Sequence, residues 1–261
     1  MNPSAMLCDM TKCIGCHSCE VACQVNKVLP PDTRLISFRC IEQGRYPDVT
    51  RALRRQQCMH CLSPACVSAC PVGALQKTAT GPVVYDATRC IGCRYCMNAC
   101  PYNVPTFDWD RGLLDQPLIH KCDFCADRLA EGLQPVCVET CPTQAIIFGE
   151  RDQLLATAKA RIQEHPDRYV QHIYGEREGG GTSLLTLSNI PFERLGLPQL
   201  APQPVTTISE AVMGGTIPFA LGWMAVLAGL AGIVRLRERG MKARAEASEQ
   251  PATHEQEETN R

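Results

Sequence analysis

The chain has 261 residues, 18 of them cysteine, and a formal net charge of −1. That balance excludes the global basic field that draws nucleic acid, and the length is wrong for the short secreted scaffolds in which dense cysteines mean disulfides. Aromatic residues are only 5% of the chain, so organic side chains alone give a modest core, and metal centres can supply the missing folding energy.

The chain opens Met1-Asn2-Pro3-Ser4-Ala5-Met6-Leu7. This stretch has no charged segment followed by an apolar one and no twin arginine, so no export signal is expected on it. Four cysteine runs follow, making an internal repeat over residues 8–149. They are Cys13-x2-Cys16-x2-Cys19-x3-Cys23, Cys58-x2-Cys61-x4-Cys66-x3-Cys70, Cys90-x2-Cys93-x2-Cys96-x3-Cys100 and Cys122-x2-Cys125-x11-Cys137-x3-Cys141. Three end in Cys-Pro, at Pro71, Pro101 and Pro142, whereas Cys23 is followed by Gln24. Arg51, Arg54 and Arg55 lie just before the second run. The x3 spacing before each last cysteine predicts one short helical turn. Short strands are expected at Val72–Leu75, Val83–Tyr85 and Thr143–Phe148, bounded by Gly and Pro.

Asp152 to His165 reads as an amphipathic helix. Asp152 is its expected N-cap, Leu154, Leu155, Ala158 and Ile162 share a face, and Pro166 stops it. Residues 175–204, rich in Gly and Pro, are expected to form an extended arm with one strand at Leu184–Leu187. Ala211 to Val234 is a stretch of 24 residues without Asp, Glu, Lys or Arg, and about 20 suffice to span a bilayer as helix. The alternative is a buried soluble helix. Arg235, Arg237, Arg239, Lys242 and Arg244 follow it and favour the membrane. By the positive-inside rule they place the C-terminus in the cytoplasm and the cysteine region outside. Residues 245–261 are polar and acidic and are expected to be disordered.

Cys-x2-Cys-x2-Cys-x3-Cys-Pro is the bacterial ferredoxin pattern, in which three cysteines hold one 4Fe–4S cubane and the fourth ligates another. A short loop wraps three corners of a cubane and the last must be reached from elsewhere, so runs work in pairs. The competing reading is zinc, whose four-cysteine sites pair two short knuckles across a long spacer; runs one and three lack that form. Cys8 and Cys40 fall outside the pattern as structural or incidental thiols. His17, His60 and His120 adjoin cysteines and are expected to support the ligands or lie at the surface. Lys12, Arg89, Arg94 and Lys121 also adjoin ligands; of two readings, cations that raise the local potentials or solvated surface cations, the second is preferred.

Several local strings carry a resemblance: Gln57-Cys58-Met59-His60-Cys61, Cys93-Arg94-Tyr95-Cys96-Met97, Cys100-Pro101-Tyr102-Asn103-Val104-Pro105, and Tyr174-Gly175-Glu176-Arg177-Glu178-Gly179-Gly180-Gly181-Thr182. With them the chain resembles the four-cluster ferredoxin-like iron–sulfur subunits of membrane-bound respiratory oxidoreductases. It looks most like the electron-transfer subunit of quinone-linked NiFe uptake hydrogenases, and is also similar to the formate dehydrogenase iron–sulfur subunit. The resemblance implies four 4Fe–4S clusters. One takes Cys13, Cys16, Cys19 and Cys141, and the next Cys122, Cys125, Cys137 and Cys23. The third takes Cys58, Cys61, Cys66 and Cys100, and the fourth Cys90, Cys93, Cys96 and Cys70.

The implied fold class is α+β: two interleaved bacterial-ferredoxin-like modules (residues 1–150), a helix and extended arm (151–210), one transmembrane helix (211–234) and a cytoplasmic tail (235–261). The implied role is a non-catalytic electron relay. Its partners are catalytic hydrogenase subunits, or a molybdopterin subunit, and an integral membrane quinone-linked subunit. The implied location is the cytoplasmic membrane, single-pass, with the cysteine region on the periplasmic side. Relatives of the hydrogenase type often carry a twin-arginine signal on this subunit; here export as a passenger, or a longer N-terminus, is expected instead.

Overall fold

The structure is a computed structural model and describes residues 3–109 and 115–248. Two compact units divide the chain, the first ending at Thr207.

The first unit begins with β1 (Ser4–Asp9), α1 (Ser18–Asn26), and a ribbon of β2 (Ser37–Arg45) and β3 (Asp48–Gln56). The cysteine region continues with α2 (Ala65–Ser68), a hairpin of β4 (Leu75–Lys77) and β5 (Val83–Tyr85), α3 (Tyr95–Ala99), and the pair β6 (Thr106–Phe107) and β7 (Ile119–His120). It closes with α4 (Ala126–Ala130), α5 (Val136–Glu139), β8 (Ile146–Glu150), α6 (Arg151–Glu164) and β9 (Leu184–Leu187). The expected helical turns therefore form: α1, α2, α3 and α5 each lie just before, or include, the last cysteine of a run.

The strands expected at Val72–Leu75 and Thr143–Phe148 start later, at Leu75 and Ile146. The cause is a turn after each Cys-Pro. The third residue beyond the cysteine is left-handed in all three runs that carry the proline: Gly73 (φ 62°), Asn103 (φ 51°) and Gln144 (φ 50°). Proline cannot continue the helix. In run one, where Gln24 replaces it, α1 continues to Asn26.

β1 is the central strand of a three-stranded sheet ordered β8-β1-β9, antiparallel to β8 and parallel to β9. Alternation along β1 sends Ala5 and Leu7 to one face and Met6 and Cys8 to the other. Ala5 and Leu7 pack with Leu154, Ala158 and Ile162 of α6. Met6 and Cys8 enter the core that holds Cys19, Cys23 and Cys137. The expected face of α6 is buried except for Leu155, which is half-buried. Its N-cap is Glu150, not Asp152, because β8 runs straight into the helix. Arg151 fixes that corner by donating to the carbonyls of Thr182 (2.9 Å), Glu176 (2.9 Å) and Gly175 (3.2 Å).

Residues 175–204 do not form an extended arm. They fold back into the first unit: Thr182, Ser183, Leu184, Leu185 and Leu187 are buried, and β9 lies beside β1. The glycine string makes this turn possible. Gly175 has φ +95°, and a Cβ there would meet Thr182 Oγ1 and the Leu184 carbonyl at 2.4 Å. Buried Glu178 accepts the N–H groups of Gly175 (2.7 Å) and Arg177 (3.3 Å).

The second unit contains α7, a single helix over Thr207–Ser248. Within it Glu210–Arg244 is long and apolar enough to cross a membrane, with mean hydropathy 2.1 over its most apolar window. Phe219, Leu221, Trp223, Leu227 and Leu230 are exposed along it. It runs through the first residues of the expected disordered tail; residues 249–261 lie outside the described residues.

Candidate metal centre

The loop of each run has one recurrent backbone feature. The residue before the second cysteine is left-handed in all four: Gly15 (φ 69°), His60 (φ 46°), Gly92 (φ 69°) and Phe124 (φ 60°). Two of these are glycine, for which the conformation carries no Cβ penalty; the other two bear strain that their buried rings offset. This turn aims amide groups at sulfur. Gly92 N–H donates to Cys90 Sγ (3.5 Å) and Phe124 N–H to Cys122 Sγ (3.4 Å). After the Cys-Pro bend of run two, Ala74 N–H donates to Cys70 Sγ (3.2 Å). Such donors stabilise a thiolate.

The fold brings run cysteines that are distant in the sequence close to one another. Cys13, Cys16, Cys19 and Cys141 line one cradle, with Cys8, His17 and Arg55. Cys70, Cys90, Cys93 and Cys96 line another. Cys23 lies in electrostatic reach of Cys137 and Cys125, and Cys61 in reach of Cys58, Cys100 and Cys66. Further electrostatic neighbours are Cys19 and Cys137, Cys122 and Cys58, and Cys66 and Cys96. Cys16 is exposed, whereas Cys122, Cys125 and Cys137 are buried.

Burial sets the thiols. It pushes Cys23 and Cys66 up to about 12 and Cys96 to about 11, with neighbouring cysteines adding to the rise. Burial also raises Cys70, but the N–H groups of Leu75, Ala74, Val72 and Gly73 outweigh it and hold that thiol below its ordinary value. Ser18, through its hydroxyl and its N–H, lowers exposed Cys16. Iron binds the thiolate, so this donor set of all-sulfur quartets with amide donors suits an iron–sulfur cubane. Among the described residues no three His, Cys, Asp or Glu side chains converge tightly enough for one metal ion.

Cys8 is buried and raised to about 12 by burial, a structural thiol beside the first cradle. Cys40 is exposed on β2, 3.1 Å from Arg51 Nε. His17 pairs with Glu20 at 2.7 Å and is exposed; His120 sits 3.7 Å from the Asp108 carboxylate. His60 is fully buried, and its Nδ1 accepts the Val83 N–H at 3.0 Å. Burial first, then Lys121 and Lys77, keep it neutral. Lys121 is not a surface cation: it is buried, and its Nζ donates to the carbonyls of Val83 and Cys122. Lys12 is half-buried. Arg89 and Arg94 are exposed, Arg94 lying 4.8 Å over the Trp109 ring. The sequence pattern missed the burial of Arg54, Arg55 and Lys121; the buried end of β3 does not alternate, and four consecutive residues, Ala52 to Arg55, are all buried.

Residues 49–151 match the family model for a 4Fe–4S dicluster domain. The hydrogenase-2 operon protein HybA of Escherichia coli O157:H7 is 38% identical over 276 residues, covering 88% of this chain and 83% of the relative. The nitrate-inducible formate dehydrogenase iron–sulfur subunit of Escherichia coli strain K12 is 33% identical over 250 residues, covering 87% and 82%. The chain belongs to this family of ferredoxin-like iron–sulfur subunits. The B subunit of the anaerobic dimethyl sulfoxide reductase of the same strain is 41% identical over 157 residues, covering 56% of this chain and 73% of that one. As a family member the chain is an iron–sulfur electron-transfer subunit of an oxidoreductase complex, and its cofactors are 4Fe–4S clusters. The family string Tyr174–Thr182 has a visible task here. It holds run two in place through a bridge between Thr182 and Cys61 and through Leu62 N–H to the Gly181 carbonyl at 3.0 Å.

Proposed function

We propose that the chain relays electrons between a NiFe hydrogenase catalytic subunit and a quinone-reactive membrane subunit, and turns over no substrate by itself. The observation that carries this reading is the similarity to HybA across 83% of that protein, together with an apolar helix suited to anchor the chain. The ligand sets are Cys13, Cys16, Cys19 and Cys141; Cys122, Cys125, Cys137 and Cys23; Cys58, Cys61, Cys66 and Cys100; and Cys90, Cys93, Cys96 and Cys70. The grouping of the thiols by quartets supports these sets. Each bound cluster would accept and pass on one electron.

The chain's own residues do the rest. The thiolates hold the centres, the amide groups of Gly92, Phe124 and Ala74 temper the charge on sulfur, and burial of the inner quartets keeps out water. Pairing run one with run four, and run two with run three, divides residues 1–150 into two interleaved ferredoxin-like modules. Residues 151–210 brace them, 211–234 span the membrane, and 235–261 form the tail. Arg235, Arg237, Arg239, Lys242 and Arg244 favour a cytoplasmic C-terminus and a periplasmic cysteine region. Protease accessibility in oriented vesicles tests this; cleavage of the cysteine region from the cytoplasmic side would reverse it.

A second reading, a subunit of a molybdenum or tungsten enzyme such as formate dehydrogenase, is favoured by the 33% identity over 82% of that relative. Metal analysis of the native complex, purified in detergent without oxygen, decides between them. Nickel without molybdenum or tungsten supports the hydrogenase partner; molybdenum or tungsten without nickel replaces it with the second reading.

A further inference from the structure

Arg54 and Arg55 close the buried end of β3, just ahead of Cys58. Their surroundings differ. Arg54 Nη1 donates to the carbonyls of Leu195 (2.9 Å) and Gly196 (3.0 Å). Arg55 has no comparable partner. Among the described residues its guanidinium makes a single hydrogen bond, from Nη1 to Met6 Sδ at 3.4 Å, and its Nε and Nη2 are buried without one. No carboxylate pairs with it among the described residues.

What surrounds Arg55 is sulfur. It lines the cradle of Cys13, Cys16, Cys19 and Cys141. Its leading electrostatic partners are Cys137, Cys8, Cys19 and Cys122, so it also faces the adjoining quartet of Cys122, Cys125, Cys137 and Cys23.

A guanidinium stays protonated in a protein and cannot shed its charge by losing a proton. An unpaired buried charge is strongly unfavourable. The fold can hold Arg55 here only with a counter-charge close by, and iron-ligating cysteines are thiolates. We infer that Arg55 is the shared counter-ion of these two cluster sites, donating its free Nε–H and Nη2–H to their sulfur atoms and raising the reduction potentials of both. The inference rests on the ligand sets proposed above.

The sign follows from charge. Reduction brings one electron and no proton to a site and makes it one unit more negative. A fixed cation alongside stabilises the reduced form, and removing the cation favours the oxidised form.

The test uses the full chain, purified in detergent without oxygen, as wild type, Arg55→Gln and Arg55→Lys. Iron and acid-labile sulfide are measured first, then each centre is titrated potentiometrically with EPR detection. Arg55→Gln is expected to keep its iron and to shift two of the four centres at least tenfold toward the oxidised form, which is about 59 mV for a one-electron couple. The other two centres hold, and Arg55→Lys recovers most of the shift. Unchanged potentials in an iron-replete Arg55→Gln protein, or an equal shift of all four centres, overturn the inference. If Arg55→Gln loses iron, Arg55→Lys decides: full iron with near-wild-type potentials supports the counter-ion, and iron loss there too assigns Arg55 a role in packing and overturns it. Wild-type iron well below about sixteen atoms per chain refutes the four-cluster ligand sets, and with them the inference, before any variant is compared.

Discussion

His60 and Phe124 stack ring on ring with centroids 4.0 Å apart. Each precedes the second cysteine of its run, and each has a left-handed backbone. The two strained loops, from runs two and four, therefore hold each other through a buried contact. Phe124 is 1% exposed, and truncating a buried phenylalanine costs about 3–5 kcal/mol. Phe124→Ala is expected to bleach faster than wild type in guanidinium, followed by visible absorbance, while Phe124→Leu loses less. An unchanged bleaching rate in Phe124→Ala would remove the ring pair from the stability of the site.

Asp9 ends β1 with its side chain fully withdrawn from water, and Arg161 Nη1 on α6 meets its Oδ2 at 3.0 Å. Tyr169 OH donates to the same oxygen at 2.9 Å, and Thr11 donates to Oδ1 through its N–H (3.1 Å) and hydroxyl (2.7 Å). Removing the arginine alone leaves a buried carboxylate short of its charge partner, at a cost of about 3 kcal/mol. Arg161→Met is expected to lower the unfolding midpoint in denaturant, and adding Asp9→Asn to recover part of the loss. If the double variant is no more stable than Arg161→Met, the pair is not coupled.

Gly175 is the turn that returns residues 175–204 to the sheet. A methyl group there meets Thr182 Oγ1 and the Leu184 carbonyl, both at 2.4 Å, and the left-handed backbone adds about 1–2 kcal/mol for any L side chain. Gly175→Ala is expected to destabilise the first unit by more than about 2 kcal/mol and to expose residues 175–187 to limited proteolysis. A cleavage pattern identical to wild type would show that the turn tolerates the change.

How much of this was legible in the sequence depends on the range of the force involved. The cysteine spacing announced the runs because a ligand loop is local, and the period of α6 gave its buried face. The strand at Leu184–Leu187 was legible, but not that it lies parallel to β1, because that partner is more than 170 residues away. The Gly and Pro content of residues 175–204 suggested an extended arm; the same glycines instead provide a buried turn. Lys121 looked like a surface cation, and Arg55 like one more charge ahead of a run, since only the packed interior shows what a lysine or arginine faces. The quartets came from a resemblance, and no local spacing could have paired Cys141 with Cys13.

Cys40 lies outside the quartets, exposed on the ribbon of β2 and β3. Cys66 lies among Cys58, Cys100 and Cys96. Cys40→Ser is expected to leave iron content and every EPR signal unchanged, whereas Cys66→Ser loses or alters one centre. Loss of iron in Cys40→Ser would mean that the ligand sets are wrong.

The pairing of runs makes a sharper claim. Cys13 and Cys141 are 128 positions apart in the sequence, yet they line one cradle, and Cys141 adds to the burial that favours the neutral thiol at Cys13. If they share one cluster, Cys13→Ser and Cys141→Ser must perturb the same EPR signal and the same potential, and the double variant must do no more damage to the remaining centres than either single change. Cys23→Ser, although it belongs to run one, must instead perturb the signal that Cys137→Ser perturbs, because Cys137 is its leading electrostatic neighbour among the cysteines. Should Cys13→Ser and Cys23→Ser change one signal together, each run would hold its own cluster and the interleaved arrangement would fall. Serine is the useful replacement, since its oxygen keeps the shape of the loop while weakening the bond to iron, so a changed signal reports the ligand rather than a collapsed fold.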